Sequence, residues 1–442
     1  MNQVFGKIVY HTLQILRREP VFKIYKELKA SEKLSLDDLK TLQFNKLKKL
    51  ISFAYENIDF YREIYKNADF HPQDLKLPEQ VTKIPIISRP DLQKKYTLPG
   101  KLTKSNYKAN TAGTTGESLT LYVDNLSWAY HHANIFRTLS WFGVKPRAPE
   151  ARIWGRRIDA SANFKTQVKD LLFNRMRLNV FNMEKEIEKF VKDLYKFKPQ
   201  YLYGYPSAII QFSEILQEKK LIPPQFKVIA CTSEQLTASQ LITIKNFFDT
   251  EVTDIYGAAE VGIISSQCPH GGRHIPVESI WLDIENQQKI FNDFTIGDVV
   301  VTDLNNYVMP IIRYSIGDVS NFESGTCTCG LAHPRLGQIK GRILEIIETA
   351  GGYKTNSAFT YYLFKGFESK EKSIRQYQLI QKSKDNFLVK LVMDADLNDD
   401  HILYFNKTLK EYLGSEIQIS VSKVDHIPVG RSAKYMIFRK EI

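Results

Sequence analysis

The sequence predicts an α/β protein: a large N-terminal domain of helices around parallel or mixed sheets, with a β-rich part, then a small α+β domain. Three observations predict it. Strand-like and helix-like segments alternate between residues 151 and 231, the pattern of parallel strands joined by helical crossovers. Residues 275–340 then shift to short strand patterns. Beyond about residue 345, one helical segment lies between strand patterns. At 442 residues the chain is too long for one ordinary core, so a large and a small domain are expected.

The elements follow in order. Residues 1 to about 95 read as helical, with Leu42, Leu47, Leu50, Ile51 and Ala54 recurring at helical spacing. Pro85 and Pro90 break this region. A short strand is expected at 119–123 and a helix at 127–142. Next come a strand at 151–154, a helix at 165–175 and a helix at 184–196. A strand at 201–203 enters Gly204-Tyr205-Pro206-Ser207, followed by a helix at 208–218 and a strand at 228–231. Short strands are expected at 281–284, 298–302 and 310–314. The C-terminal part reads as strand 386–392, helix 400–413 and strand 416–421.

Composition excludes several function classes. Hydrophobic content of 43% and charged content of 25% are those of a globular chain. No apolar run reaches the roughly 20 residues of a membrane span, so no transmembrane segment is expected. Val9 to Leu16 is apolar but interrupted, and lacks a small-residue cleavage site, so it is not read as a signal peptide. An interfacial amphipathic helix is the alternative there. The net charge of +12 invites a nucleic-acid reading, yet Lys and Glu interleave, as in Glu184-Lys185-Glu186-Ile187-Glu188-Lys189. That is a solvated helix face, and no zinc-finger repeat, aromatic RNA motif or basic arm accompanies it. No nucleic-acid partner is expected; the charge suits small anions. Four cysteines are too few for a disulfide scaffold and point to a reducing, cytoplasmic compartment.

The chemistry is concentrated in one loop and four later motifs. The loop is Asn110-Thr111-Ala112-Gly113-Thr114-Thr115-Gly116-Glu117-Ser118. Two glycines bracketing two threonines can turn backbone N–H groups and hydroxyls toward phosphate oxygens. The spacing is neither a Walker A loop nor a dinucleotide fingerprint. Downstream stand Tyr256-Gly257-Ala258-Ala259-Glu260, Arg313-Tyr314-Ser315-Ile316-Gly317-Asp318, Gly341-Arg342 and a late Lys434. In this order the motifs resemble the adenylate-forming (AMP-forming) ligase superfamily, closest to its phenylacetate–CoA ligase-like branch with its capsule-biosynthesis-associated members. The resemblance covers nearly the whole chain. It includes Leu42 to Leu47, Ala54 to Arg62 and the approach segment Ile84 to Leu92.

The resemblance implies attack of a carboxylic acid on the α-phosphorus of ATP, then transfer of the acyl group to a thiol, most simply CoA. Thr111, Gly113, Thr114, Thr115 and Gly116 would hold phosphates. Ala112 and Glu117 depart from the family's usual Ser and Lys. Glu260 would bind Mg²⁺, which favours carboxylate and phosphate oxygens. Tyr256 and Gly257 would flank adenine and the α-phosphate, with Ser233 and Glu234 on the nucleotide side. Asp318 would accept from both ribose hydroxyls. Arg342 would add a contact at a hinge, residues 341–345, between a domain of residues 1–340 and a mobile one of 346–442. Leu344 and Glu345 compete as the hinge residue. Lys434 and Glu260 are the catalytic pair, although Ala433 replaces the family's usual Gly. Tyr203, Tyr205 and Pro206 are expected to line the acid pocket, where aromatic rings suit an aryl or apolar acid or belong to the core.

Cys268, His274, Cys327 and Cys329 form a further set. Three thiolates and an imidazole are a usual structural zinc set, and some relatives bind zinc there. His270 competes with His274, and Cys231 is read as a core thiol. His131-His132 reads as packing. Two other functions stay open: adenylation with a non-CoA acceptor in polysaccharide or O-antigen synthesis, or AMP transfer itself; and a non-catalytic basic binding protein on a ligase scaffold. A homodimer is left open.

Overall fold

The computed structural model describes residues 20–95, 107–111, 119–154, 167–168, 170–290, 294–339, 346–356, 360, 363–364, 367, 371, 373–428 and 437–442. The described residues open with three helices: α1 (Val21–Ser31), α2 (Leu36–Asn57) and α3 (Asp59–Asn67). Ser35 caps α2 by accepting from the Asp38 N–H, and Asp37 and Asp38 complement the positive end of the helix. Its apolar stripe, with Leu47, Leu50, Ile51 and Ala54 all buried, packs into a core shared with the β-rich part. Two short 3₁₀ turns and α4 (Arg89–Lys95) follow.

β1 (Tyr107–Thr111) and β2 (Leu119–Val123) form an antiparallel hairpin with Thr111 opposite Leu119. The glycine–threonine loop therefore joins two paired strands, as its sequence allowed. Next comes α5 (Asn125–Ser140), capped by Asp124, whose carboxylate accepts from the Ser127 N–H.

A nine-stranded sheet forms the centre. Its parallel part has the spatial order β7 (Glu251–Ala258), β6 (Val228–Thr232), β5 (Tyr201–Gly204), β3 (Glu150–Trp154), β4 (Arg175–Asn179). On the far side of β7 lie antiparallel β8 (Gly262–Gln267), β9 (Arg273–His274), β14 (Arg335–Leu336) and β13 (Phe322–Glu323). One face of the parallel part buries Ala151, Ile153, Leu178, Leu202 and Ile229 against α6 (Met183–Phe197), α7 (Pro206–Glu218) and α8 (Ala238–Phe248). Cys231 lies in that core as a free, buried thiol, as expected. A separate sheet, β10 (Ile280–Ile290), β11 (Phe294–Asp303) and β12 (Tyr314–Ser320), is wholly antiparallel.

Two elements differ from the sequence reading. The helix expected over 165–175 stops before β4, which starts at Arg175. Its Arg-Met-Arg-Leu alternation puts Met176 and Leu178 toward the core, while Arg175 and Arg177 answer the buried carboxylates of Glu150 and Asp170. The strand expected at 310–314 starts only at Tyr314. Arg313 has φ 47°, a left-handed conformation incompatible with a regular strand.

The C-terminal part has a small hairpin, β15 (Ile346–Glu348) with β16 (Lys354–Asn356). It also has a four-stranded mixed sheet: β19 (Gln418–Lys423), β18 (Asn386–Met393), β17 (Ile374–Gln381), β20 (Phe438–Lys440). Helix α9 (Asp399–Leu413) buries Phe405, Leu409 and Leu413 against it. The α+β pattern is as read. The Ser239 hydroxyl of α8 donates to the Ile374 carbonyl of β17 at 2.8 Å, linking the large and small parts.

Candidate active site

Among the described residues, the Tyr256–Glu260 and Arg313–Asp318 motifs meet beyond the C-terminal ends of the parallel strands, where open α/β sheets bind ligands. Tyr256 and Gly257 lie near the end of β7, and Glu260 is in the turn to β8. A Cβ on Gly257 would stand 2.4 Å from the Gly262 carbonyl oxygen, so only glycine lets the two strands close here. Asp318 comes from a different sheet. Between Val300 opposite Ser315 and Asp298 opposite Val319, β12 carries extra residues as a bulge. Gly317 sits in it at φ +81°, and the bulge directs Asp318 toward β7. There the Tyr256 hydroxyl donates to Asp318 Oδ2 at 2.7 Å. Two motifs 62 positions apart are thus joined by one charge-assisted hydrogen bond.

Arg313 secures the second motif. It is among the largest fully buried side chains, and its guanidinium meets Asp283 at 2.9 Å and Glu285 at 2.7 Å. The adjacent Tyr314 hydroxyl reaches Glu260 Oε1 at 3.5 Å. Arg89 Nη1 stands 3.8 Å from the same oxygen. Sequence reasoning placed Arg89 in the approach segment Ile84 to Leu92 but gave it no role at the site.

The remaining nucleotide-side residues vary. Ser233 adopts φ 67° after β6, and Glu234 accepts from the Ser207 N–H at 3.1 Å and hydroxyl at 3.0 Å, closing the start of α7. Thr111 ends β1. Gly113, Thr114, Thr115 and Gly116, Arg342 with the hinge residues 341–345, and Lys434 lie outside the described residues.

Tyr203, Tyr205 and Pro206 are packed. Tyr203 is buried under the Arg152 guanidinium, 4.3 Å from its ring centre, and Tyr205 lies 4.3 Å from the Trp154 ring. Pro206 opens α7. Arg152 pairs with Glu150, which also meets Arg175 and accepts from the Tyr201 hydroxyl at 2.8 Å. Burial opposes ionisation of Glu150, but the two arginines overcome it and hold its carboxyl down at about 2. This face of the sheet is polar and cationic as well as aromatic. The missed signal was the alternation Glu150-x-Arg152-x-Trp154. His132 packs at a tilt against Trp128 at 3.9 Å and stacks on Phe173 at 5.6 Å, the packing role read for it.

The Cys/His set converges on the far edge of the sheet. The ligand atoms of Cys268, His274, Cys327 and Cys329 all lie within 4.8 Å of one another. Cys268 and Cys327 sulfurs are 3.7 Å apart, and His274 Nε2 is 3.1 Å from Cys329 Sγ. His274 Nδ1 contacts the His333 carbonyl at 3.1 Å, leaving Nε2 for the cluster. A Cβ on Gly272 would lie 2.8 Å from Cys327 Sγ, so glycine makes room for the thiol. His270 turns away to Thr328. Burial pushes Cys268 up and Cys329 to about 12, and lowers His274 to about 4. Against the same burial, hydrogen bonds from the Cys329 backbone and the neighbouring thiols hold Cys327 down. Three crowded sulfurs and a neutral imidazole fit the donor chemistry of a zinc ion.

Residues 348–441 match the CapK C-terminal domain. The chain is 22% identical to a phenylacetate–coenzyme A ligase of Thermus thermophilus, covering 72% of this chain and 74% of that one. It is 23% identical to Protein CapK of Staphylococcus aureus, covering 97% and 96%. These likenesses agree with the resemblance to adenylate-forming (AMP-forming) ligases of the phenylacetate–CoA ligase-like branch. Among solved structures, a 2-hydroxyisobutyryl-CoA ligase bound to R3-HIB-AMP shares this fold, with a TM-score of 0.68 and 17% identity over 90% of this chain and 88% of that one. Within this fold, the Tyr256–Asp318 bond and the Glu260 turn occupy the mouth of the parallel strands. Among the described residues no helix is long and apolar enough to cross a membrane.

Proposed function

We propose that the chain activates a carboxylic acid with ATP and passes the acyl group to a thiol, with CoA the simplest acceptor. The observation that carries this reading is the convergence of Tyr256, Asp318, Glu260 and Tyr314 from two sheets into one site. A carboxylate oxygen attacks the α-phosphorus, and the α–β phosphoanhydride breaks to release pyrophosphate. The thiol then attacks the acyl carbon, AMP leaves, and the thiol proton passes to solvent.

Both reactants of the first step are anions, so the protein's work is alignment and charge screening. Asp318, oriented by Tyr256, holds the ribose hydroxyls. The loop from Thr111 to Gly116 holds phosphates. Glu260 would hold Mg²⁺, whose charge would offset that of the triphosphate. Lys434 stabilises charge at the α-phosphorus, and Arg342 steadies the nucleotide. The small domain turns about residues 341–345 to present Lys434 for the first step and another face for the second. Cys268, His274, Cys327 and Cys329 hold structural zinc, remote from the chemistry. Carboxylate-dependent pyrophosphate release with ATP and Mg²⁺, with and without CoA, tests the reading. Release followed by acyl-CoA formation supports it; no release with any acid rejects it.

A second reading keeps adenylation and changes the acceptor to a sugar or another carrier. It is favoured by the C-terminal match to the CapK domain and the near full-length likeness to CapK. Acyl-adenylate that accumulates with CoA present would select it.

A further inference from the structure

We propose that Arg89 is a polyphosphate ligand of the nucleotide site, and that in the nucleotide-free protein it holds the Glu260 carboxylate in place. The inference rests on the reading of Glu260 as the magnesium ligand.

Arg89 is positioned by main-chain bonds to the ribose-binding strand. Ile87 forms a parallel bridge with Tyr314; its N–H donates to the Arg313 carbonyl at 2.9 Å, and its carbonyl accepts from the Ser315 N–H at 2.9 Å. Ser88 and Asp91 then fix the start of α4: the Ser88 N–H and hydroxyl both donate to Asp91 Oδ2, at 2.8 and 2.5 Å. Pro90 sets the backbone angle between them. The helix so anchored packs on β12 and on β2, the strand that leaves the glycine–threonine loop. Arg89 therefore stands beside Glu260, at the start of a helix that also packs on β2.

The contact with Glu260 suits an exchange. At 3.8 Å it is a single charge pair, looser than a bidentate fork, with the two side chains 23% and 12% exposed. Divalent charge arriving at Glu260 would repel a guanidinium this close. Arginine cannot relieve the repulsion by losing its proton. The anions then within its reach are the β- and γ-phosphate oxygens, whose geometry its planar donors match. AMP has neither group.

The test is calorimetric binding of ATP without metal, MgATP and AMP to wild-type, Arg89→Ala and Arg89→Lys proteins, each checked by thermal unfolding. Expected is a roughly tenfold to hundredfold weaker affinity of Arg89→Ala for ATP and MgATP, the size of a lost charge-assisted bond. AMP affinity changes by less than about threefold, and Arg89→Lys recovers part of the loss. Equal weakening for AMP and ATP overturns the proposal, because it marks a structural role in shaping the site. Unchanged ATP affinity also overturns it. If Arg89→Ala does not fold, the same comparison is read from Arg89→Lys and Arg89→Gln. Wild-type protein that binds ATP but releases pyrophosphate with no acid refutes the ligase reading while this comparison still decides on Arg89. Wild-type protein that binds no ATP refutes both.

Discussion

Replacing Cys327 by serine is expected to remove a metal ion and loosen the sheet edge it clips. A tetrahedral zinc with sulfur ligands at about 2.3 Å has sulfur–sulfur edges of about 3.8 Å. The Cys268–Cys327 separation of 3.7 Å is within about 0.1 Å of that edge. The clip joins residues 59 positions apart, across the pairing of β9 with β14. Treated as a cross-link of that span, it restricts the unfolded chain by on the order of 4 kcal/mol. For a cooperative unit of roughly 320 residues, at about 2.1 cal/mol/K per residue, this becomes a fall in Tm of about 6 °C. The assay is elemental analysis of protein purified without chelator, together with calorimetric unfolding of wild type and Cys327→Ser. One zinc per chain in wild type, its loss in the variant and a Tm lower by several degrees are expected. Zinc far below one equivalent in wild type, with the same Tm in both proteins, would refute the reasoning.

Three further outcomes are expected. Lys434→Ala should abolish acid-dependent pyrophosphate release yet largely spare acyl transfer from a preformed adenylate; unchanged release would remove Lys434 from the first step. Tyr256→Phe leaves Asp318 without its 2.7 Å donor and should raise KM for ATP about tenfold while barely moving KM for the acid, checked by steady-state kinetics. Burial raises Asp303 to about 7, against hydrogen bonds from Ser127 and Asn305, so the folded protein keeps a proton that the unfolded chain releases above pH 4. Its stabilising contribution is full at pH below about 4 and is lost as pH rises through 7. Between pH 5 and 7.5, urea unfolding should show wild type losing on the order of 2–3 kcal/mol relative to Asp303→Asn; parallel curves would refute this.

The residues that carry chemistry differ in how plainly the sequence announces them. Glu260 and Asp318 stand in short motifs whose order suffices to find them. Cys268, His274, Cys327 and Cys329 were legible from donor type alone, but the choice of His274 over His270 needed the β9–β14 pairing, which turns one imidazole inward. Tyr203 and Tyr205 read equally as pocket walls or as core. Parallel pairing of β3 with β5 sets Tyr203 against Arg152, and Tyr205, just past β5, packs on Trp154. β4 went unread because its polar–apolar alternation spans only Arg175–Asn179, too few residues to stand out beside a helical segment.

The sequence by itself determined the α/β class, the order of the motifs and the α+β character of the C-terminal part, because periodicity and local turn chemistry act over a few residues. Only the tertiary structure decided that Tyr256 orients Asp318, that Arg89 faces Glu260, and that three thiols and one imidazole share a point. Those contacts join residues 55 to more than 170 positions apart, and no local rule encodes which strands lie beside each other. Their geometry follows from sheet order and from a single bulge in β12, which are properties of the packed chain.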